Sequence, residues 1–242
     1  MTSRWWVPAW YDWLRAAGEA KGLADRRRRL VGSARGRVLE IGAGTGRNLA
    51  FYRAGQVSSL LALEPDRALG ERLRRRAVTL GVPFEWRPVA LEAAVLPKEG
   101  FDTVVVSFGL CRVADPAAAA ERIATWLVPG GRLLFLEHVA SVGPAGSFQR
   151  AATPLWSRLA AGCHLDRPTV ATLRAAGLSV SDCTRFRLPA AGPLAPLFAS
   201  CVAAVAWRPP IGEPDPAMSV LAAEVSSVSG DAREWRPPRG RV

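Results

Sequence analysis

Long apolar runs are absent from this sequence of 242 residues. No hydrophobic segment reaches the roughly 18 residues that a membrane-spanning helix requires. The N-terminus also lacks a basic segment followed by an apolar core and a cleavage site, so we expect no signal peptide. These observations favour a cytoplasmic location.

Cysteine is also scarce, and the four cysteines lie far apart at Cys111, Cys163, Cys183 and Cys201. None belongs to a C-x-x-C pair, the spacing typical of zinc sites and of redox motifs. The sequence therefore predicts reduced thiols, no disulfide framework and no bound metal.

Lysine is almost missing, because 30 of the 32 basic residues are arginine and the exceptions are Lys21 and Lys98. The net charge of +11 raises the hypothesis of a nucleic-acid or anionic-membrane partner. The arginine runs at 26–29 and 74–76 are, however, typical of solvated helix faces. We recognise no RNA-binding module, and we do not expect a nucleic-acid partner.

The N-terminal segment, residues 1–34, carries an aromatic stripe. Trp6, Trp10, Trp13 and Leu14 follow the spacing of one helical face. We interpret this segment as an amphipathic helical lid that packs over the domain or its substrate pocket. The alternative is a membrane-interface helix, which would make the protein peripheral to a membrane.

Residues 35–207 alternate apolar strands with helices, the pattern of an α/β fold with a doubly wound, mostly parallel sheet. Residues 208–242 are rich in proline and lack periodicity, so we predict a mostly disordered tail. The predicted strands are 37–41, 59–64, 84–89, 102–107, 132–138, 178–186 and 199–207, and the predicted helices are 46–54, 67–80, 115–127, 148–161 and 168–176.

The most informative motif is the glycine loop after the first strand, Gly42-Ala43-Gly44-Thr45-Gly46. Its third glycine comes one residue earlier than in the dinucleotide fingerprint, and Glu40 precedes the loop. A fixed carboxylate suits a positively charged ligand better than a phosphate. S-adenosylmethionine carries an ammonium and a sulfonium and no phosphate, so we predict it as the cofactor.

Ligands of open α/β sheets bind beyond the carboxyl ends of the strands, and this rule selects further candidates. Glu64, followed by Pro65, ends the second strand and can accept hydrogen bonds from both ribose hydroxyls. Leu91 and Glu92 follow the third strand and are candidates for the adenine site. Ser107 and Phe108 end the fourth and should border the methionine part.

These segments together resemble the class I S-adenosylmethionine-dependent methyltransferases, which implies a Rossmann-like sheet over about residues 35–207. A narrower resemblance is to alkyl-thiol S-methyltransferases and bacterial phospholipid N-methyltransferase-like proteins. It is carried by Asn48, Tyr52, Leu110-Cys111, residues 136–139 and the segment 162–167. Arg112 and Ala161 depart from that subgroup's usual serine and glycine, and the arginine is expected near the pocket rim.

Methyl transfer needs alignment of the acceptor and exclusion of water, and a thiol acceptor needs no dedicated base. The two histidines, His138 and His164, are the candidate catalytic residues as base or orienting group, and Cys163 is a weaker candidate. We predict transfer to a small, fairly apolar acceptor, most plausibly a thiol. The alternatives are O- or N-methylation of a natural product or phospholipid head group, RNA methylation, and a non-catalytic binding protein. The number of subunits is left open.

Overall fold

The computed structural model describes residues 23–187 and 200–210. The tryptophans of the predicted N-terminal lid lie outside these residues, as do the segment 188–199 and most of the predicted tail. The proposed division into lid, domain and tail therefore stays a prediction.

The described residues form a seven-stranded sheet in the order β3-β2-β1-β4-β5-β7-β6. Strands β1 to β5 are parallel, and β7 lies between β5 and β6, antiparallel to both. The predicted α/β class and mostly parallel sheet are confirmed. The strands are β1 Gly36–Ile41, β2 Val57–Leu63, β3 Phe84–Arg87, β4 Phe101–Ser107, β5 Leu127–His138, β6 Ser179–Arg187 and β7 Ser200–Trp207.

Helices cover both faces of the sheet because the central strands are apolar on both sides. In β4, Val104 and Val106 belong to the core on the side of Ile123, whereas Val105 belongs to the core on the side of Leu73. The α-helices are α1 Ala24–Val31, α2 Arg67–Ala77, α3 Pro116–Trp126, α4 Gly143–Leu159 and α5 Thr169–Ala175. None of the helices within the described ranges is long and apolar enough to cross a membrane.

The helix predicted at 46–54 is wrong. Turns and a short 3-10 helix at Leu49–Phe51 occupy this segment. Gly46 has a φ of 79°, outside the right-handed helical region. The side chains of Asn48 and Tyr52 turn inward and bind Glu40 instead of continuing a surface helix.

Two smaller differences concern β5 and α1. The predicted helix 115–127 and strand 132–138 leave a break between them, but β5 begins at Leu127 and includes Pro129-Gly130-Gly131. In the first arginine run, Arg28 and Arg29 are exposed as predicted, whereas Arg27 is buried. A buried arginine requires polar partners, and Arg27 donates to Asn48.

The strand order reverses between β1 and β4, so the loops that follow these two strands diverge to opposite faces of the sheet. Such a reversal opens a crevice at the carboxyl edge, where α/β proteins bind their ligands. The glycine loop and the segment after Ser107 form the two sides of this crevice.

Candidate active site

The glycine loop has the backbone geometry that its sequence predicts. Gly42, Gly44 and Gly46 have φ values of 67°, 59° and 79°. A methyl group placed on Gly42 would lie 3.9 Å from the Cα of Gly109, so the loop directly faces the segment after β4. A methyl group on Gly46 would lie 2.9 Å from the Leu49 and Leu73 side chains, so this glycine allows the loop to pack on the core.

Glu64 lies at the end of β2, next to the exposed Pro65, and binds the glycine loop. Its Oε2 accepts a hydrogen bond of 2.8 Å from the Gly44 N–H, and its Oε1 accepts one of 3.0 Å from the Asp66 N–H. Burial raises the pKa of this carboxyl, and the two backbone donors partly offset that effect. Each oxygen keeps a free lone pair, so the carboxylate could also accept from ribose hydroxyls.

Glu40 lies behind the loop rather than in the crevice, since only 1% of its surface is exposed. Asn48 Nδ2 donates to its Oε1 over 2.9 Å, and the Tyr52 hydroxyl donates to its Oε2 over 2.8 Å. Burial raises the pKa of Glu40 to about 7. Its contribution to cofactor binding stays a prediction, and it would act partly through Asn48, whose Nδ2 lies 3.2 Å from the Ser107 Oγ.

The predicted adenine-site residues differ in exposure. Leu91 is buried in the core at the start of a 3-10 helix, Leu91–Ala93. Glu92 is exposed, and its Oε1 accepts a hydrogen bond of 3.1 Å from the Ala114 N–H. Glu92 therefore connects the β3 end to the segment that follows β4.

Glu137, at the end of β5, is a site residue that sequence reasoning missed. It is fully buried and accepts hydrogen bonds from the N–H groups of Gly109, Leu110 and Cys111, with distances of 2.7, 2.8 and 3.2 Å. Burial raises its pKa to about 7, and the backbone donors oppose that rise. A carboxylate that directly follows the apolar run 133–136 was the available signal, because a buried charge requires several donors.

His138 lies at the carboxyl end of β5 and is half-buried. Its ring packs against Phe108, with ring centroids 4.9 Å apart and planes tilted by 49°. Its Nδ1 lies 3.5 Å from the Cys163 sulfur. Burial by itself lowers the pKa of His138, but the neighbouring Cys163 sulfur outweighs it, so that the pKa lies above its usual value.

Cys163 also lies next to Cys111, with the two sulfurs 3.6 Å apart. The hydrogen bond with Cys111 is the main cause that lowers the pKa of Cys163, and His138 and Trp156 act in the same direction against burial. The same contact and burial raise the pKa of Cys111. The structure thus joins Cys163 and His138, two of the predicted candidates, to a thiol that sequence reasoning did not connect with them.

His164 has a different position from His138. Its main-chain N–H donates to the Cys111 carbonyl over 2.8 Å, which ties the segment after α4 to the segment after β4. A second hydrogen bond joins the same two segments, because Arg112 Nε donates to the Ala161 carbonyl over 2.9 Å. Arg112 and Ala161 are the two residues that differ from the subgroup pattern. These two hydrogen bonds fix the relative positions of Cys111 and Cys163.

The fold, the glycine loop and the acid after β2 define an S-adenosylmethionine-dependent methyltransferase. The family described as a methyltransferase domain matches residues 15–177, and the chain belongs to this family. When bound, S-adenosylmethionine supplies an activated methyl group. The residues that would hold it, as the sequence predicts, are the loop 42–46, Glu64, Ser107 and Phe108.

Curated relatives and solved structures agree with this assignment. The chain is 33% identical over 139 residues to the thiol S-methyltransferase TMT1B of Rattus norvegicus, covering 54% of this chain and 55% of that protein. It is 29% identical over 134 residues to the phosphatidylethanolamine N-methyltransferase of Cereibacter sphaeroides, covering 54% and 64%. The match thus spans little more than half the length of these relatives.

The structural neighbours support the fold. A putative methyltransferase from Bacillus halodurans has a TM-score of 0.62 at 15% identity, covering 78% of this chain and 99% of that chain. An S-adenosylmethionine-dependent methyltransferase from Mesorhizobium loti has a TM-score of 0.60 at 18% identity, covering 81% and 100%.

Proposed function

We propose that the protein transfers a methyl group from S-adenosylmethionine to the sulfur of a small, fairly apolar thiol. The observation that carries this proposal is the half-buried His138 ring, packed on Phe108 and next to Cys163 at the carboxyl edge of the sheet. The similarity to a protein named as a thiol S-methyltransferase supports the same choice.

The surroundings of His138 suit an apolar acceptor. Cys111, Ala160, Cys163 and Leu165 form a small buried cluster, separate from the two main cores, against which Phe108 and Trp156 pack. Phe108 and Trp156, which are only partly buried, form the wall of the acceptor region in our proposal, and the cluster supports them from behind. An apolar wall binds an alkyl group and excludes water, which favours attack by a poorly solvated sulfur.

The residues of the chain would divide the work as follows. Phe108 and Trp156 would orient the acceptor toward the methyl group, since alignment supplies much of the rate enhancement in a displacement of this kind. His138 would orient the acceptor sulfur or, when neutral, accept its proton. The loop 42–46 and Glu64 would fix the methyl donor.

The similarity to a phosphatidylethanolamine N-methyltransferase keeps N-methylation of a phospholipid head group as the second candidate. An amine acceptor is protonated near neutral pH, so this reaction would need a base more than a thiol does. We expect a small-molecule substrate in either case, with the N-terminal segment as a lid or as a contact with a membrane surface.

The test is S-adenosylhomocysteine production by the full chain against alkyl thiols, phenols, primary amines, phosphatidylethanolamine vesicles and transfer RNA. Turnover confined to thiols is the expected result. Methylation of phosphatidylethanolamine or of transfer RNA, without methylation of any thiol, would refute the proposed thiol methylation.

A further inference from the structure

Two thiols and one imidazole converge at the acceptor side of the crevice. The sulfurs of Cys111 and Cys163 and a ring nitrogen of His138 all lie within 4.8 Å of one another. The three residues belong to different segments: the segment after β4, the end of β5 and the segment after α4. Such convergence from distant parts of the chain is typical of a built site rather than of a surface cluster.

The distances fit a tetrahedral metal ion. A zinc ion with bonds of about 2.3 Å to sulfur and about 2.0 Å to nitrogen separates its ligand atoms by about 3.5–3.8 Å. The structure has 3.6 Å between the two sulfurs and 3.5 Å between the Cys163 sulfur and the His138 Nδ1. The third distance, between the Cys111 sulfur and the His138 ring nitrogen, is at most 4.8 Å.

The burial of the three groups favours a metal over a nucleophilic cysteine. Cys111 is 0% exposed and Cys163 is 1% exposed, so neither sulfur can contact a substrate directly. An ion between them needs an opening only at its fourth position, and we place that opening on the side of the half-buried His138. Two thiolates would also neutralise a divalent cation, which keeps the buried site free of net charge.

The surroundings hold the three ligands in place, as the partners of metal ligands commonly do. The Cys111 N–H donates to the buried Glu137, and the Cys111 carbonyl accepts from the His164 N–H. Trp156 packs against the buried cluster that contains both cysteines. The ligand positions are therefore organised before any ion binds.

We propose that Cys111, His138 and Cys163 bind a zinc ion through two sulfurs and one nitrogen and leave its fourth position open. Three protein ligands with one open position are the arrangement of catalytic rather than structural zinc sites. This site departs from the expectation based on cysteine spacing, in which no metal was predicted.

The open position has a use that rests on the proposed thiol methylation. A thiol that binds zinc loses its proton to solvent and remains as a coordinated thiolate. With zinc bound, His138 would act as a metal ligand in place of a base, and the zinc would supply the nucleophilic form of the acceptor next to Phe108.

The first experiment measures metal content. The full chain is purified under reducing conditions from zinc-supplemented medium, desalted, and analysed by plasma mass spectrometry. We expect about one zinc ion per chain in the wild type and in the control Cys183→Ser, and a loss in Cys111→Ser, Cys163→Ser and His138→Ala. A wild type that retains no zinc, or a Cys163→Ser variant that retains all of it, would overturn the proposal.

The second experiment uses the wild type alone, so that it does not depend on the folding of any variant. Cobalt replaces zinc, and we expect a thiolate-to-cobalt charge-transfer band together with the visible bands of a tetrahedral ion. An octahedral cobalt spectrum, or a Cys111–Cys163 disulfide with no metal retained, would contradict a metal site.

The use of the open position is tested by adding an alkyl thiol to the cobalt protein. A stronger charge-transfer band indicates that the thiol sulfur binds the ion. Thiol turnover by zinc-free protein at the full rate would refute this use and leave the proposed function intact. A bound metal in a protein that methylates only other acceptors would refute thiol methylation and leave the metal site intact.

Discussion

Replacement of Glu64 by glutamine tests the assignment of the cofactor site most directly. The Glu64 carboxylate is 6% exposed and accepts from two backbone N–H groups, at Gly44 and Asp66. Glutamine has nearly the same shape, but only one of its two terminal atoms accepts hydrogen bonds. Its amide group would therefore face an N–H of the loop or a ribose hydroxyl as a second donor.

The expected magnitude follows from the number of bonds affected. Hydrogen bonds to charged groups contribute about 1.5–3 kcal/mol, so the loss of one acceptor should raise the dissociation constant of S-adenosylmethionine about 10- to 150-fold. Glu64→Ala should raise it at least as much, because both acceptors are lost. Glu85→Gln is the matched control, since the Glu85 carboxylate is exposed on β3 and its ion-pair partner is Arg87.

Isothermal titration calorimetry with S-adenosylmethionine and with S-adenosylhomocysteine measures this effect. Circular dichroism before each titration verifies that the variant is folded, because the same substitution also leaves a backbone donor without its acceptor. A dissociation constant within twofold of the wild type, in a folded Glu64→Gln protein, would refute the cofactor role of Glu64.

Three further predictions concern the glycine loop, Glu40 and His138. Gly46→Ala should lower the free energy of unfolding by about 1–3 kcal/mol more than Gly130→Ala, because both positions have positive φ but only Gly46 lacks space for a methyl group. Equal losses in urea denaturation would contradict this packing argument. Burial raises the pKa of Glu40 to about 7, so protonated Glu40 favours the folded protein at low pH. This contribution to the free energy of unfolding is lost as the pH rises from about 4.5 to about 7. The free energy of unfolding of Glu40→Gln should therefore rise relative to that of the wild type by up to about 3 kcal/mol between pH 5 and pH 8. Unfolding free energies of the two proteins that change in parallel with pH would contradict the raised pKa. His138→Ala should lower turnover at least about tenfold with little change in cofactor affinity, whereas equal losses of both would make His138 structural.

The parts of the fold that the sequence predicts are those determined by neighbouring residues. A continuous run of valines is typical of a strand that is buried on both faces, as β4 is, so this strand was predictable. Glu64 was predictable as a candidate because it ends a strand and lies at a fixed distance after the glycine loop. The prediction of a helix at 46–54 failed because Asn48 and Tyr52 bind a carboxylate from the preceding strand, a contact that the local pattern does not show.

The acceptor side could not be predicted in the same way, because its partners are distant in sequence. Cys163 lies 25 residues from His138 and 52 from Cys111, and no local pattern marks such a separation. The sequence suggested His138 only because a histidine at a strand end is positioned for chemistry. Its partners depend on how α4 returns to the sheet, which is a property of tertiary packing.

Buried carboxylates explain why the two sides of the crevice keep their shape. The loop after β1 is bound by Glu64 from the adjacent strand β2, and the segment after β4 is bound by Glu137 from the adjacent strand β5. The strand order reverses between β1 and β4, so each side of the crevice is held from the strand on its outer flank. Because both carboxyls bind backbone N–H groups, substitutions of the loop side chains leave these bonds intact. The crevice can therefore retain its cofactor geometry while residues such as Arg112, whose side chain is exposed, change the acceptor side.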